Sequence, residues 1–539
     1  MVDIFWKFFL KRSLYVFLLV IILILCSILR FVVVATTDYG EYLSSQGIMK
    51  IKISNLRGTI YDCNMVPITN NKSKIIAAVY PTVRAITAIS AVLKGEEKEN
   101  VLEILKSGKP TVCEVPEIIE CEGISCSKII VNDTSTNIAN HLIGYTDSEN
   151  NGVTGLQKAY NDILYSADEI TAIYETDGKG EILKGTNPKI EYNSSVLASG
   201  VVSTIDVNIQ NILERNTAQL KSGAIVIAEC KNNKIRGMLS LPNYNKDNIE
   251  EYLNDTNSPL LNKAINNYNV GSVFKPCVAI AGLENNINDF WYDCTGKTKI
   301  GNRYFKCHEL NGHGIIGLDN ALAKSCNTYF YNYGIKIGGE KIYNTAKSLG
   351  FGSSIKLCDG LTITKGTIPE PETLKNEGNI ANFSIGQGVL TASPINMLNL
   401  YSAIANGGKY YVPSVVEAVL NNGKKTDYDI GNPTVVSSKN NADKLREYLK
   451  LVFEIGTAKE IKQTEIELAG KTATAQTGRY DNGVEICEGW FCGFFPADNP
   501  KYTVIVFSED ISKDKASLSE IFVNIAEDIC KLKNIDGSA

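Results

Sequence analysis

Histidine is almost missing from this chain: its 539 residues hold three, His141, His308 and His313. No two cysteines stand in C-x-x-C spacing, the pattern by which a zinc site is usually read from sequence. The adjacency of Cys307 and His308 is therefore read as incidental, and neither a metal nor a cofactor is expected. A basic excess is missing too. Fifty-four Lys and Arg against 59 Asp and Glu leave a formal net charge of −5, which argues against a nucleic-acid partner, since such a partner needs a basic face. There is no lysine-rich or glutamate-rich tail, no internal repeat and no low-complexity tract. With 44% hydrophobic and 21% charged residues the composition is globular, and the length implies two or three domains. Fourteen cysteines in so long a chain do not make a disulfide framework. One pair is a candidate: Cys294 and Cys307 flank Thr295 to Lys306, whose Gly296 and Gly301-Asn302 suit a loop that a disulfide could close, with their oxidation state left open by the sequence.

What the chain does have is one long apolar run. Ser13 to Leu29 is almost entirely Leu, Ile, Val and Phe, and Phe31 to Ala35 extends it if Arg30 snorkels to the interface. That is enough to span a hydrocarbon core of roughly 30 Å. Lys7, Lys11 and Arg12 precede the run, against Asp3 alone, while Asp38 and Glu41 follow it. The positive-inside bias places residues 1–12 in the cytoplasm, a single-pass anchor at 13–35, and everything after Tyr39 outside the cell. A cleaved signal peptide would have a shorter apolar stretch and a small-x-small cleavage pattern, neither of which is found.

Beyond a polar bridge at 40–55, Asn55 to Asp62 and Ala77 to Tyr80 read as strand, turn and strand. Residues 83–165 read as short amphipathic helices and loops, and strands with turns recur over 166–196. A boundary falls near 197–205. After it, Asp206 is placed to cap a helix through Ile209, Ile212 and Leu213. Gly223 to Glu229 and Ile235 to Ser240 form a hairpin turned by Lys231 to Lys234. Far downstream, Gly489 to Phe495 and Tyr502 to Phe507 are two more strands. The chain then ends in a helix with Leu518, Ile521, Phe522, Ile525, Ile529 and Leu532 at helical spacing. Strands at both ends of this stretch with helices between them predict an α+β domain, whose single antiparallel sheet closes late and carries helices on its faces.

Three short strings carry chemistry. Ser272-Val-Phe-Lys275 follows Gly271 and puts a hydroxyl and an amine one helical turn apart. Pro276 is tolerated only in a first turn, so it marks a helix start. A serine hydroxyl needs a nearby base, and a lysine serves if burial or a second cation lowers its pKa. Ser325-Cys326-Asn327 offers a hydroxyl to relay a proton and a carboxamide to hold the lysine and orient a substrate amide. Lys471-Thr472-Ala473-Thr474 reads as an edge strand whose ammonium and hydroxyls receive a carboxylate, with a strand amide helping to hold an oxyanion. Each string alone is weak; SxxK recurs by chance in any chain of this length. Their order, with 53 positions from Ser272 to Ser325 and 146 from Ser325 to Lys471, suits one cleft made by a domain that folds back on itself.

Taken together the three strings resemble the motif set of penicillin-binding proteins and β-lactamases. Over most of residues 50–535 the chain is similar to class B penicillin-binding proteins, through Arg57 to Asp62, Gly152 to Gln157, Ser203 to Asp206, Tyr268 to Pro276, His313-Gly314, Gly386-Gln-Gly388, Ala405 to Gly408 and Trp490 to Phe494. The resemblance implies a penicillin-binding/β-lactamase-like transpeptidase domain over 198–539 on an elongated pedestal domain of the dimerisation type over 40–197. It implies a peptidoglycan D,D-transpeptidase that cross-links stem peptides through an acyl-enzyme on Ser272, with carboxypeptidase action as a side activity. β-Lactams are implied as acylating ligands, and a polytopic glycan polymerase as a partner. The catalytic set is then Ser272, Lys275, Ser325 and Asn327, and the substrate-binding set Lys471, Thr472 and Thr474. A catalytically weak scaffold supporting the polymerase is the alternative, and the intact motif residues speak against it. Two positions depart from the family pattern: Ala473 replaces the usual glycine, and Cys63 stands where arginine is usual after Asp62.

Overall fold

The computed structural model describes residues 2–36, 47–131, 138–177, 183, 185–192, 198–461, 464–481 and 483–535. Asp38, Tyr39, Glu41, the first part of the polar bridge, Gly178 and Gly180 lie outside the described residues. The apolar run forms part of one helix, Val2–Thr36, with a stretch from Leu10 to Val33 long and apolar enough to cross a membrane. Its 24 residues, at about 1.5 Å each, exceed a hydrocarbon core of roughly 30 Å.

Packing divides the chain into two units. The smaller comprises residues 1–55, 73–130 and 168–193. It holds a three-stranded sheet in the order Thr111–Val115, Lys72–Val79, Ile124–Val131. The helices Val83–Val92 and Gly95–Lys106 contribute Ala85, Ile89, Val101 and Leu105 to the core this sheet shares with them. Cys113 and Cys126, expected among helices and loops, are on strands.

The larger unit comprises residues 56–72, 131–167 and 194–539, so two stretches of the expected pedestal pack with it. Arg57 ties these two stretches to each other. Its buried guanidinium donates to Gln157 Oε1 (2.6 Å), the Gln157 carbonyl (2.9 Å), Asn161 Oδ1 (3.0 Å) and the Asn150 carbonyl (2.6 Å). The two glycine-containing motifs near Arg57 and Gly152 thus meet. Any Cβ at Gly152 would sit 1.9 Å from the Gln157 carbonyl oxygen.

At the centre of this unit stands an antiparallel sheet in the order Ile235–Leu241, Gly223–Glu229, Tyr502–Ser508, Val484–Phe495, Ala469–Asp481. The α+β architecture and late closure are as the sequence predicts. Strand alternation sorts its two faces. Val504 and Val506 pack with Ile521, Phe522, Ile525 and Ile529 of the C-terminal helix Leu518–Lys533. Ile505, Phe507 and Trp490 face the other way, into the core that contains the helices Lys275–Glu284 and Pro394–Ala405. Asp206 caps Val207–Arg215 by accepting from the Asn208 and Ile209 amides. The last strand, Ala469–Asp481, is an edge, and the motif lysine lies on it.

Candidate active site

The Ser272 segment begins with Gly271 at φ +67°, a left-handed conformation that glycine adopts without strain. A 3-10 turn, Gly271–Phe274, runs straight into the helix Lys275–Glu284, with Pro276 in the first turn. Behind it, the Gly271 amide donates to the Gly386 carbonyl (2.9 Å), and a Cβ on Gly386 would meet Gly271 oxygen at 2.0 Å. That is the physical use of the Gly386-Gln-Gly388 string. Ser272 is half-buried at the mouth of this turn, and Lys275 is fully buried beneath it.

Lys275 is the hub. Its Nζ donates to the Ser325 carbonyl (2.7 Å), Ser325 Oγ (3.2 Å) and Asn327 Oδ1 (2.7 Å). Ser325 follows the short helix Leu318–Ala323 and has φ +56°, a strained value for a residue with a side chain. That turn aims both its carbonyl and its hydroxyl at the amine. Asn327 opens the next helix, Asn327–Ile337, and Cys326 caps it, its Sγ accepting from the Tyr329 amide. Burial lowers the Lys275 pKa to about 7, against weaker opposing effects of Cys326 and Cys307.

From the edge strand, Lys471 projects into the same interior, fully buried, with Nζ donating to the Thr472 carbonyl (3.0 Å). Burial first, and the Lys275 charge second, drive its pKa well below the ordinary lysine value. Ala473 is on the same face: a Cβ on Gly271 would lie 3.5 Å from the Ala473 methyl. Thr472 and Thr474 alternate to the other face, where Thr472 Oγ1 pairs with Thr457 Oγ1 (2.6 Å) and Thr474 is exposed. Of the seven site residues expected from sequence, Lys275, Ser325 and Asn327 are joined by hydrogen bonds, Lys471 feels the Lys275 charge, and Ser272 and the two threonines flank them.

Two features had no signal in sequence. Glu488, buried on the neighbouring strand, accepts from the Asn269 amide (2.8 Å), while Trp490 Nε1 donates to the Asn269 carbonyl (2.8 Å). Both backbone groups of a residue three before Ser272 are thereby held by one strand. The second feature corrects an expectation. Cys294 and Cys307 are free thiols and form no disulfide. Pairing of Tyr292–Cys294 with Gly314–Ile316 brings His313 to Cys294 instead, and Cys326 closes a group of four with Cys307. Three thiols and an imidazole, all within 4.8 Å of one another, are a donor set that suits zinc.

The description "penicillin binding protein transpeptidase domain" fits residues 223–529 as a family match. Among curated relatives, peptidoglycan D,D-transpeptidase MrdA of Acinetobacter baumannii is 26% identical over 91% of this chain and 83% of its own. Stage V sporulation protein D of Bacillus subtilis is 27% identical over 84% and 73%. Among solved structures, penicillin-binding protein 3 of Mycobacterium tuberculosis, complexed with aztreonam, superposes with a TM-score of 0.66 at 20% identity, over 91% of this chain and 98% of that one. The fold is therefore the one the motifs led to. With more than half of its length inside the family's transpeptidase model, the chain belongs to the penicillin-binding proteins, and to their class B.

Proposed function

We propose that this protein is a membrane-anchored peptidoglycan D,D-transpeptidase with Ser272 as its nucleophile. The observation that carries the reading is the placement of Lys275 Nζ, buried one turn from Ser272 and bound to Ser325 and Asn327 at 2.7–3.2 Å. Ser272 Oγ attacks the carbonyl of the penultimate D-alanine of a stem peptide, and its proton passes to neutral Lys275. The tetrahedral intermediate collapses as the terminal D-alanine leaves, protonated through Ser325, and an ester remains on Ser272. The amine of a neighbouring stem peptide then attacks that ester, forms the new amide and returns the proton to Ser272 Oγ. Asn327 orients the donor amide. Thr472 and Thr474 receive the carboxylate, and Lys471, buried on the opposite face of that strand, attracts it through its charge. A β-lactam enters the same path, but its opened ring stays tethered to the acyl group, so no leaving group departs.

The helix Leu10–Val33 anchors the chain. The cations Lys7, Lys11 and Arg12 before it support a cytoplasmic N-terminus with the bulk of the chain outside. Residues 40–197 serve as pedestal and 198–539 as transpeptidase domain. The glycan strands to be cross-linked are supplied by a polytopic polymerase partner in the same membrane. Reaction with a labelled penicillin, followed by mapping of the adduct by mass spectrometry, tests the core of this reading. The adduct is expected on Ser272 and absent from Ser272→Ala; labelling at another residue overturns the assignment.

A further inference from the structure

We propose that a basic cavity at one end of the central sheet binds a soluble anion with two or more phosphate groups. The cavity has a volume of about 790 Å³ and shares no lining residue with the group around Lys275. Six cations line it, Lys231, Lys409, Lys439, Arg446, Lys501 and Lys533, against two carboxylates, Glu229 and Asp443. Its size falls in the range of roughly 300–1,000 Å³ usual for small-molecule sites.

Five parts of the chain bring these charges together. The string Ala405 to Gly408, which has no role at Lys275, ends the helix Pro394–Ala405 with Gly407 at φ +64° and Gly408 at φ +90°. A Cβ on Gly408 would lie 2.0 Å from the Ser437 carbonyl oxygen, and the Gly408 carbonyl accepts from the Val436 and Ser437 amides (2.8 and 3.1 Å). That close approach sets Lys409 beside the start of the helix Lys439–Glu454. On this helix Lys439, Asp443 and Arg446 stand at i, i+4 and i+7, and so share one face. The Cys230 amide donates to the Lys501 carbonyl (2.9 Å), which brings Lys231 and Lys501 together. Lys533 comes from the last turn of the C-terminal helix.

The carboxylates present do not neutralise this set. Glu229 accepts from Arg236 (2.9 Å) and Asn232 (2.8 Å), with Lys231 at 3.5 Å. Asp443 is shared by Lys439 (2.5 Å) and Arg446 (3.2 Å), and Lys533 is held by Asp206 (2.5 Å). Lys409 and Lys501 have no carboxylate partner among the described residues. Arg446 Nε is buried without a hydrogen-bond partner. Lys439, moreover, is the first residue of its helix, and the first turn holds no acidic residue. The helix dipole favours an anion at that end, so the lysine is placed against it. A multiply charged anion offsets both the cation excess and the dipole. Phosphate suits these donors better than a carboxylate, because a terminal phosphate carries about −1.5 to −2 charge near neutral pH and has three acceptor oxygens. Such a group can be met from several sides, as cations on separate elements require. A single phosphate would leave most of the cavity empty, and linked phosphates fill it.

The test uses the full-length protein in dodecyl maltoside, titrated calorimetrically with inorganic tripolyphosphate at low ionic strength. Citrate serves as the polycarboxylate control. About one tripolyphosphate should bind per chain, about tenfold or more tighter than citrate, and added salt should weaken it. The double variant Lys409→Gln, Lys501→Gln should weaken tripolyphosphate binding by on the order of tenfold while the rate of reaction with labelled penicillin stays unchanged. Asp443→Asn frees Lys439 and Arg446, and should tighten binding by about threefold. A change that only disturbed the fold would act in the opposite sense, so weaker binding by Asp443→Asn at an unchanged Tm overturns the charge argument. No binding by the wild type, or equal binding by the wild type and the double variant, overturns the proposal. Citrate binding as tight as that of tripolyphosphate would assign the cavity to carboxylates and overturn it too. Displacement of tripolyphosphate by phosphatidylglycerol added to the micelles would assign the cavity to a lipid surface and overturn the soluble ligand.

Discussion

In the proposed mechanism Lys275 must hold its amine uncharged near neutral pH, and burial lowers its pKa to about 7. Acylation by a penicillin should therefore rise with pH through about 7 and level off above it, measured as the second-order rate of adduct formation. Lys275→Ala should lower that rate by about 10²-fold or more without unfolding the protein. The same shift acts on stability. An unfolded Lys275 titrates near 10.5, so between about 7 and 10.5 the unfolded state holds the extra proton, and stability rises with pH across that window. Lys471, depressed by burial and by Lys275, is argued to meet a carboxylate. Lys471→Ala should then impair acylation by carboxylate-bearing β-lactams far more than by a small neutral reagent. Equal loss toward both would show that Lys471 acts through Lys275 or the fold. Ala473→Gly removes one methyl that faces Gly271, and should change the rate within roughly one decade.

At the scale of elements, the nucleophile turn is hung from the strand Val484–Phe495. Glu488 holds the Asn269 amide and is itself met by Arg479 from the edge strand at 3.3 Å. Glu488→Gln keeps an acceptor for that amide, so acylation should stay within about threefold of normal. Glu488→Ala leaves a partly buried amide unpaired, at a cost of about 1–3 kcal/mol, and should slow acylation about tenfold with a lower Tm. Equal effects of Gln and Ala would assign the role to the charge. These relations also mark what the sequence made legible. Ser272 and Lys275 were visible because their relation is local, one turn of chain. The central strands were visible through alternation, as in Val504 and Val506 against Ile505 and Phe507. Glu488 and Asn269 are 219 positions apart, and nothing local ties them. The cluster of three thiols and an imidazole was missed for the same reason, since its members come from a strand, two loops and a helix cap. Thr111 to Val115 is too short a run to outweigh the helical patterns around it, which is why strands were read there as helix and loop.

On the scale of the whole molecule, the Arg57 clamp ties segments 56–72 and 131–167 to each other, and Thr59–Tyr61 pairs in parallel with Gly200–Ser203, so both early segments belong to the larger unit although they precede its main run at residue 194. The larger unit is thus assembled from three pieces of chain. Its sheet has the same character, because the strand at its centre, Tyr502–Ser508, is nearly the last to be made. It pairs on one side with Gly223–Glu229 and on the other with Val484–Phe495. A chain truncated after Phe495 keeps every motif residue, yet should bind no labelled penicillin and be cleaved rapidly by protease. Acylation of that fragment would show that the cleft forms without the central strand.

That ordering has a consequence for biosynthesis. At about 5–20 residues per second, the ribosome needs roughly 10–50 seconds between finishing the early hairpin and delivering the strand that completes its sheet. For that interval Gly223–Glu229 has an open edge of paired-but-unfinished backbone, lined by Ile225 and Ile227, which are fully buried once the strand arrives. Until Tyr502–Ser508 is made that edge is open to pairing with other strands, and the sheet behind Ser272 is complete only when almost the whole polypeptide has been synthesised.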